Sequence, residues 1–130
     1  MPVVDASAAV EYLLGTPVGD RLAETLSAAG PVGAPHVLDV EVLSALRRLT
    51  AARVLAEDRA LDALDDLVEL PIERYPATAL VPRMWELRST HTAYDAAYVA
   101  LAEALDVPLL TADAELARSH GHRAEITLLA

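Results

Sequence analysis

Short apolar runs alternate with longer segments of helical periodicity along the whole chain. The apolar runs predict strands over residues 2–5, 32–35, 70–72, 107–111 and 126–129. Between them, apolar residues recur every three or four positions, which predicts helices over residues 8–14, 17–29, 37–53, 57–68, 77–87, 94–105 and 114–119. Strands joined by helices pair in parallel, and the helices cover both faces of the sheet. The pattern therefore predicts an α/β fold with a central, mainly parallel sheet flanked by helices.

Serine, threonine and proline residues mark several ends of these elements. Ser7 is expected to cap the first helix, and Thr16 followed by Pro17 is expected to begin the second. Pro71 places the third strand at an edge of the sheet, because proline cannot donate a hydrogen bond to a neighbouring strand. Pro82 is expected to bend the helix over residues 77–87.

Length and composition limit the kinds of protein that this chain can be. A chain of 130 residues, 54% of them apolar, suffices for one packed domain spanning residues 1–130. No apolar run reaches the roughly 18 residues that a membrane span needs, and the absence of cysteine fits a cytoplasmic location. The formal net charge is −10, and all ten basic residues are arginine, which excludes chemistry that needs a lysine. Such an acidic chain does not by itself suggest a nucleic-acid partner.

Four acidic residues stand out because of where the predicted elements place them. Asp5 closes the first strand and Asp113 follows the fourth, so both belong to the carboxyl end of the sheet, where ligands bind in such folds. Asp95 lies at the beginning of a helix, on the same side. Glu41 interrupts the apolar stripe of the helix over residues 37–53, where a charge needs a partner. Folding can bring these four carboxylates together.

Each of these acids also has a structural explanation. Asp5 and Asp113 could cap helices. Asp95 could serve the N-terminus of its helix, and Glu41 could form a buried ion pair with Arg88. Taken together, however, the four acids indicate a metal site, because clustered carboxylates repel one another unless a cation neutralises them. An all-oxygen ligand set favours Mg²⁺ or Mn²⁺ over zinc, and such a site can orient a phosphodiester and activate water.

Four segments follow one another in a recognisable order. They are Val3-Val4-Asp5-Ala6-Ser7, Pro35 with Glu41 six positions later, Tyr94-Asp95-Ala96-Ala97-Tyr98-Val99-Ala100-Leu101-Ala102, and Leu110-Thr111-Ala112-Asp113. Together they resemble the PIN-domain family, in particular its VapC branch, over nearly the whole chain. The resemblance implies a three-layer sandwich, Mg²⁺-dependent endoribonuclease activity on RNA, a homodimer, and neutralisation by a cognate VapB antitoxin.

The resemblance also implies roles for individual residues. Six positions match the family's site, and they are Asp5, Glu41, Asp95, Asp113, Ser7 and Thr111. The four acids are expected to hold the metal and to carry out catalysis. The hydroxyls of Ser7 and Thr111 are expected to steady those acids.

Two other functions are open at this point. A receiver domain or a haloacid-dehalogenase-like phosphatase also uses aspartates at strand ends with Mg²⁺. A receiver needs a lysine, however, and the phosphatase needs an acid where Ser7 stands. The second alternative is a catalytically silent PIN-like module that only binds RNA or a partner.

Several remaining residues carry weaker expectations. The histidines, His36, His91, His120 and His122, are expected to be ordinary side chains rather than metal ligands. The arginines at one helix end, Arg47, Arg48 and Arg53, are expected to complement the helix dipole more than to bind phosphate. Met84 and Trp85 are expected in the core or an interface. Two apolar helix faces, Val18/Leu22/Leu26 and Leu61/Leu64, are expected to be exposed and to contact a second copy or the antitoxin.

Overall fold

The computed structural model describes residues 1–130, and its five strands form one sheet in which every neighbouring pair is parallel. The strands are β1 (Val3–Val4), β2 (Val32–Pro35), β3 (Ile72–Tyr75), β4 (Leu109–Thr111) and β5 (Ile126–Leu128). The helices are α1 (Ala6–Leu13), α2 (Pro17–Ala29), α3 (Val37–Ala51), α4 (Glu57–Glu69), α5 (Val81–Glu86), α6 (Ala93–Leu105) and α7 (Ala114–Ala117), with a 3₁₀ turn at Thr78–Leu80 before α5. None of these helices combines the length and hydropathy that crossing a membrane requires. The predicted α/β fold is confirmed.

The order of the strands creates the crevice in which the site lies. The sheet has the order β3-β2-β1-β4-β5, so the chain first adds strands on one side of β1 and then crosses to the other side. Val3 pairs with Gly33 of β2 on one side and with Leu109 of β4 on the other. The connections that leave β1 and β4 therefore diverge at the carboxyl ends of these two strands, and this is where open α/β sheets bind ligands.

Strand β1 is short, but it lies at the centre of the sheet. Val3 and Val4 are 0% and 2% exposed, and they belong to different apolar clusters because successive side chains point to opposite faces. The cluster around Val3 includes Val42 of α3 and Leu101 of α6, whereas the cluster around Val4 includes Leu22 of α2. Helices thus cover both faces, and the fold is a three-layer sandwich.

Some element boundaries differ from the sequence-based expectation. Asp5, not Ser7, caps α1, since its side chain accepts the Ala8 N–H, and Ser7 lies inside the helix. Strand β3 is an edge strand as predicted, but it begins after Pro71, because its pairing with β2 runs from Ile72 to Tyr75. Pro82 does not bend a continuous helix. It lies in the first turn of α5, where a missing N–H costs nothing.

The expectation of two exposed apolar faces is half wrong. Leu22 is 2% exposed, and Val18 and Leu26 pack against the same apolar cluster, because α2 lies on the sheet face that Val4 presents. Leu61 of α4 is 57% exposed, as expected, although Leu64 packs partly into the core.

The two large side chains of α5, Met84 and Trp85, differ in their exposure to solvent. Trp85 is 67% exposed and is not a core residue, whereas Met84 packs partly against the core.

Candidate active site

The four acids selected from the sequence line one cleft at the carboxyl end of the sheet. Asp5 follows β1, Asp113 follows β4, Glu41 belongs to α3, and Asp95 lies in the first turn of α6. The two hydroxyl residues are also present. Ser7 lines the cleft, and Thr111, which is fully buried, donates a hydrogen bond to Asp5. Folding thus brings all six selected residues into one neighbourhood.

Asp5 is the most firmly held of the acids. It is 5% exposed. Its Oδ1 accepts hydrogen bonds from the Ser7 hydroxyl at 2.7 Å and from the Ala8 N–H at 3.0 Å. Its Oδ2 accepts the Thr111 hydroxyl. Burial raises the pKa of Asp5 above its ordinary value, with a smaller contribution from Asp113, although these three hydrogen bonds oppose the shift.

Ser7 and Thr111 also connect the first turn of α1 to the segment that follows β4. Each hydroxyl donates its proton to Asp5, and each accepts a backbone N–H: that of Ala112 on Ser7 and that of Asp113 on Thr111, both at 3.0 Å. The two hydroxyls therefore fix the position of the Asp113 backbone relative to the Asp5 carboxylate. This arrangement explains why small hydroxyl residues stand at these two positions.

Asp5 and Asp113 do cap helices, as their structural explanation proposed, but capping leaves some of their carboxylate acceptor positions free. Asp113 caps α7, and its Oδ1 accepts the Glu115 N–H at 2.9 Å. A carboxylate has about four acceptor positions. Asp113 therefore keeps Oδ2 free, and Asp5 keeps one acceptor position on Oδ2. Both residues can cap a helix and still bind a ligand.

Glu41 has a partner that the sequence argument did not identify. The Tyr98 hydroxyl donates a hydrogen bond to Glu41 Oε1 at 2.6 Å, and the Tyr98 side chain is almost fully buried. Burial and the Glu41 carboxylate raise the pKa of Tyr98, so the phenol stays protonated and remains a donor. The proposed ion pair with Arg88 is wrong, because that guanidinium lies 4.5 Å from the ring centre of Trp85.

Asp95 differs from the other acids because its carboxylate accepts no hydrogen bond within the chain. Thr92 caps α6 by accepting the Asp95 N–H, which leaves the Asp95 side chain free. Burial, together with the charges of the neighbouring Asp113, Asp5 and Glu41, raises the pKa of Asp95 to about 6. Asp95 therefore experiences most directly the repulsion among the acids in the cleft.

The donor set of the cleft suits a hard divalent cation. In this conformation no group of three acidic or histidine side chains is close enough to hold a metal ion. The cleft nevertheless offers carboxylate oxygens as its charged donors, which Mg²⁺ and Mn²⁺ prefer. A cation between the acids would also remove the repulsion that raises the pKa of Asp95. The residues present fit such an ion, provided that their side chains draw together around it.

Two further residues of the cleft were not selected from the sequence as site residues. Glu11 of α1 lines it, and Arg48 of α3 is its only basic residue. Arg48 shares a helical face with Glu41, seven positions earlier, and this spacing was visible in the sequence.

None of the four histidines lines the cleft. His91 is buried against Thr90 and Ser119, and its ring meets that of His122 edge-on.

Comparison with known proteins identifies the family. Residues 3–120 match the PIN domain. Over 130 residues, all of both chains, the sequence is 47% identical to Ribonuclease VapC12 of Mycobacterium tuberculosis (strain ATCC 25618 / H37Rv). It is 45% identical to Ribonuclease VapC1 of the same strain over 128 residues, which cover 98% of this chain and 96% of that protein.

Solved structures agree on the fold. PAE2754 from Pyrobaculum aerophilum superposes with a TM-score of 0.69 at 22% identity, over 95% of this chain and 81% of that one. VapBC2 from Rickettsia felis, solved bound to a DNA fragment from its promoter, gives a TM-score of 0.70 at 12% identity over 98% of both chains. The likeness in sequence over the full length and the shared fold lead to one conclusion: the chain belongs to the PIN-domain family, and within it to the VapC proteins.

Proposed function

We propose that residues 1–130 act as a single PIN domain that cleaves RNA: a Mg²⁺-dependent endoribonuclease that serves as the toxin of a VapBC pair. The observation that carries this proposal is the convergence of Asp5, Glu41, Asp95 and Asp113 on the crevice between β1 and β4. The names of the full-length relatives, Ribonuclease VapC12 and Ribonuclease VapC1, support the same reaction. The proposal places the chain in the cytoplasm with its RNA substrate and assigns it no contact with a membrane.

In this proposal the four carboxylates hold the ion, and Mn²⁺ can replace Mg²⁺. The chemistry supplied by the bound ion is polarisation of the phosphodiester and a lowered pKa of a coordinated water. The reaction is hydrolysis: the water oxygen forms a bond to phosphorus, and the bond to the RNA 3′-oxygen breaks, with a proton passing to the leaving oxygen. No side chain needs to act as a nucleophile.

The surrounding residues prepare the acids for this role. Ser7 and Thr111 hold Asp5 in one orientation and leave one acceptor position of Oδ2 toward the cleft. Tyr98 restrains Glu41 through one oxygen and leaves the other free. Asp95 carries no internal partner, so its carboxylate is fully available. Because Asp5 and Glu41 are already held in place, less reorganisation is needed when the four acids draw together around an ion.

A direct test compares RNA cleavage by the purified chain, free of any partner, with Mg²⁺, with Mn²⁺ and with EDTA. We expect cleavage with either cation and none in excess chelator. Asp5→Asn and Asp95→Asn should abolish most of the activity, whereas Asp65→Asn, which neutralises an exposed acid on α4, should leave it unchanged. Cleavage that survives the chelator would exclude the metal mechanism, and a folded chain that binds RNA without cutting it would be a silent binding module.

The antitoxin part of the proposal rests on two surfaces. The acidic cleft attracts an arginine, which can pair bidentately with carboxylates and displace the metal. A groove between α3 and α4 has an apolar lining of Val40, Leu43, Leu64, Leu67 and Val68, and three of these side chains are more than half exposed. An apolar helix of the antitoxin would lie along this groove and supply most of the affinity.

The partner proposal is tested by expressing the chain alone and together with the small protein encoded beside it. We expect the lone chain to arrest growth, and the neighbour to co-purify with it and block RNA cleavage. Replacing Val40 and Val68 by serine should weaken capture of the neighbour and leave RNA cleavage intact. If the lone chain is harmless and the neighbour neither binds nor inhibits it, the toxin assignment fails even though the fold stands.

We also propose a homodimer, which the exposed apolar side chains of Val81, Trp85 and Tyr94 support. Sedimentation velocity at micromolar concentration tests it. A chain that remains monomeric there would contradict this part of the proposal.

A further inference from the structure

The cleft that holds the acids contains a single basic side chain. Five of its lining residues are acidic, whereas Arg48 is the only lysine, arginine or histidine among them. An RNA strand that enters this cleft is negatively charged, so the carboxylates that line the cleft repel it. A cation of the protein that lies beside these acids is therefore the natural contact for a phosphate of the strand.

The position of Arg48 on α3 relates it directly to the acids. Glu41, Ala45 and Arg48 line the cleft from one helix face, since positions four and seven apart fall on the same side of a helix. Seven residues at 1.5 Å of rise separate Glu41 and Arg48 by about 10 Å along the helix axis. The Arg48 side chain extends back toward Glu41 as far as the Ser44 hydroxyl, but it forms no ion pair with an acid of the cleft. It is therefore placed to meet a phosphate beside the one that the acids hold.

Arg48 also has most of its bonding capacity free. It is exposed, forms no ion pair, and spends one of its five N–H donors on the Ser44 hydroxyl at 3.0 Å. The arginines that stabilise this fold look different. Arg74 makes a two-pronged contact with Asp39, and Arg83 does the same with Glu103. An unpaired arginine at the rim of an acidic cleft has no comparable structural function.

We propose that Arg48 is a substrate-binding residue that holds an RNA phosphate beside the one that is cleaved. The inference rests on the proposed ribonuclease function and adds to it a specific contact with the strand. Because that phosphate does not react, Arg48 binds it equally in the ground state and in the transition state. Such uniform binding lowers KM and leaves kcat nearly unchanged.

The test compares three variants of α3. Arg48→Gln removes the charge, Arg48→Lys keeps it without the planar fork, and Arg47→Gln removes an exposed charge one position away that does not line the cleft. We expect Arg48→Gln to raise KM for RNA about two- to fivefold with kcat within about twofold, as for one exposed charge contact. Arg48→Lys should recover part of the loss, and Arg47→Gln should behave like the unaltered chain.

A binding measurement keeps this test independent of catalysis. In an Asp95→Asn background with Mg²⁺ present, fluorescence anisotropy follows a labelled single-stranded oligo-RNA at several salt concentrations. Adding Arg48→Gln should reduce the slope of log affinity against log salt by about 0.7, the value for one phosphate contact on a single strand. Adding Arg47→Gln should not change the slope.

The outcomes separate this inference from the proposed function. If the unaltered chain cleaves RNA but Arg48→Gln and Arg47→Gln give the same KM and the same slope, the contact is overturned and the ribonuclease stands. If Arg48→Gln weakens only the association with the neighbouring small protein, Arg48 belongs to that interface and the inference is also overturned. If no cleavage occurs but the slope still falls for Arg48→Gln alone, the phosphate contact holds on a chain that binds RNA without cutting it.

Discussion

The two ends of helix α6 carry two carboxylates that the protein treats in opposite ways. Near its C-terminus, the Glu103 side chain is 3% exposed. It accepts hydrogen bonds from Arg83 at 2.7 and 3.1 Å and from the Arg123 N–H at 2.6 Å. Near the N-terminus, Asp95 is half-buried among other acids and accepts no hydrogen bond from the chain.

The difference appears in the pKa of each group. Burial would raise the pKa of Glu103, but the hydrogen bonds from Arg83 and Arg123 and the charges of both arginines outweigh it, so the pKa is lowered. Burial and the charges of its acidic neighbours together raise the pKa of Asp95 to about 6. Ionised Glu103 therefore stabilises the fold, whereas ionised Asp95 costs stability. A charge kept at such a cost indicates a functional position.

The largest expected effect comes from removing the unpaired charge. Asp95→Asn should lower RNA cleavage at least about 100-fold, because it removes a ligand charge at nearly constant volume. It should not lower the free energy of unfolding at neutral pH, since no hydrogen bond is lost and repulsion is relieved. Initial cleavage rates and urea unfolding measure the two effects. A clear loss of stability would show that Asp95 is a structural acid after all.

The paired charge should behave in the reverse manner. Glu103→Gln should lower the free energy of unfolding by about 2 kcal/mol, because it leaves Arg83 without its buried partner. The value lies below that of a fully buried pair, since the Arg83 side chain is 26% exposed. Cleavage per folded molecule should stay within about twofold of the unaltered chain. If Glu103→Gln kept its stability but lost activity, Glu103 would be a functional acid like Asp95, and the two ends of α6 would not differ.

The pH dependence of stability should differ in sign between the two ends. The folded-state pKa of Asp95, about 6, lies above its ordinary value of 3.8, so the native chain retains a proton that the unfolded chain has released. Stability contributed by protonated Asp95 is present below pH 3.8 and is lost as the pH rises to about 6. The stability advantage of Asp95→Asn over the unaltered chain should therefore grow across this window, to about 1 kcal/mol after allowance for solvent screening.

Glu103 provides the opposite case. Its folded-state pKa is lowered, so its contribution is present above its ordinary value of 4.5 and is lost as the pH falls through the lowered pKa. The unaltered chain should thus lose its advantage over Glu103→Gln in acid. Urea unfolding in metal-free buffer, at half-unit steps between pH 3.5 and pH 7, measures both differences. If the free energies of unfolding of the two variants, relative to the unaltered chain, changed with pH in the same direction, the opposite pKa shifts of Asp95 and Glu103 would be contradicted.

The sequence was sufficient for the fold and for the neighbourhood of the site, because both depend on periodic patterns. The alternation of apolar runs and helices determined a parallel sheet, and the end of each strand determined where Asp5 and Asp113 lie. The strand order did not follow from these patterns, since it depends on which helices cross which face. The α2 face was misjudged for the same reason, because an amphipathic stripe does not reveal what covers it.

The differences among the four acids could be recognised only from the structure. From the sequence, Asp5 and Asp95 were expected to have the same role as metal ligands. The structure separates them, because Asp5 accepts three hydrogen bonds, and an amide in its place cannot accept the same set of donors. Tyr98 was visible in its motif, but its bond to Glu41 joins residues 57 positions apart and could not be inferred from local spacing.

Removing the hydrogen bond between Tyr98 and Glu41 should have the smallest effect. Tyr98→Phe removes only the hydroxyl that donates to Glu41 Oε1, and the ring still fills its buried position. Glu41 is partly exposed, so water can replace the lost donor, and the free energy of unfolding should fall by about 1 kcal/mol or less. If the hydroxyl orients Glu41 as a ligand, cleavage should fall about threefold and the Mg²⁺ concentration for half-maximal activity should rise by a similar factor. Asp95→Asn should show a far larger loss, and Glu103→Gln should leave the Mg²⁺ requirement unchanged. A Tyr98→Phe chain with lower stability but the same Mg²⁺ requirement would assign Tyr98 to packing alone.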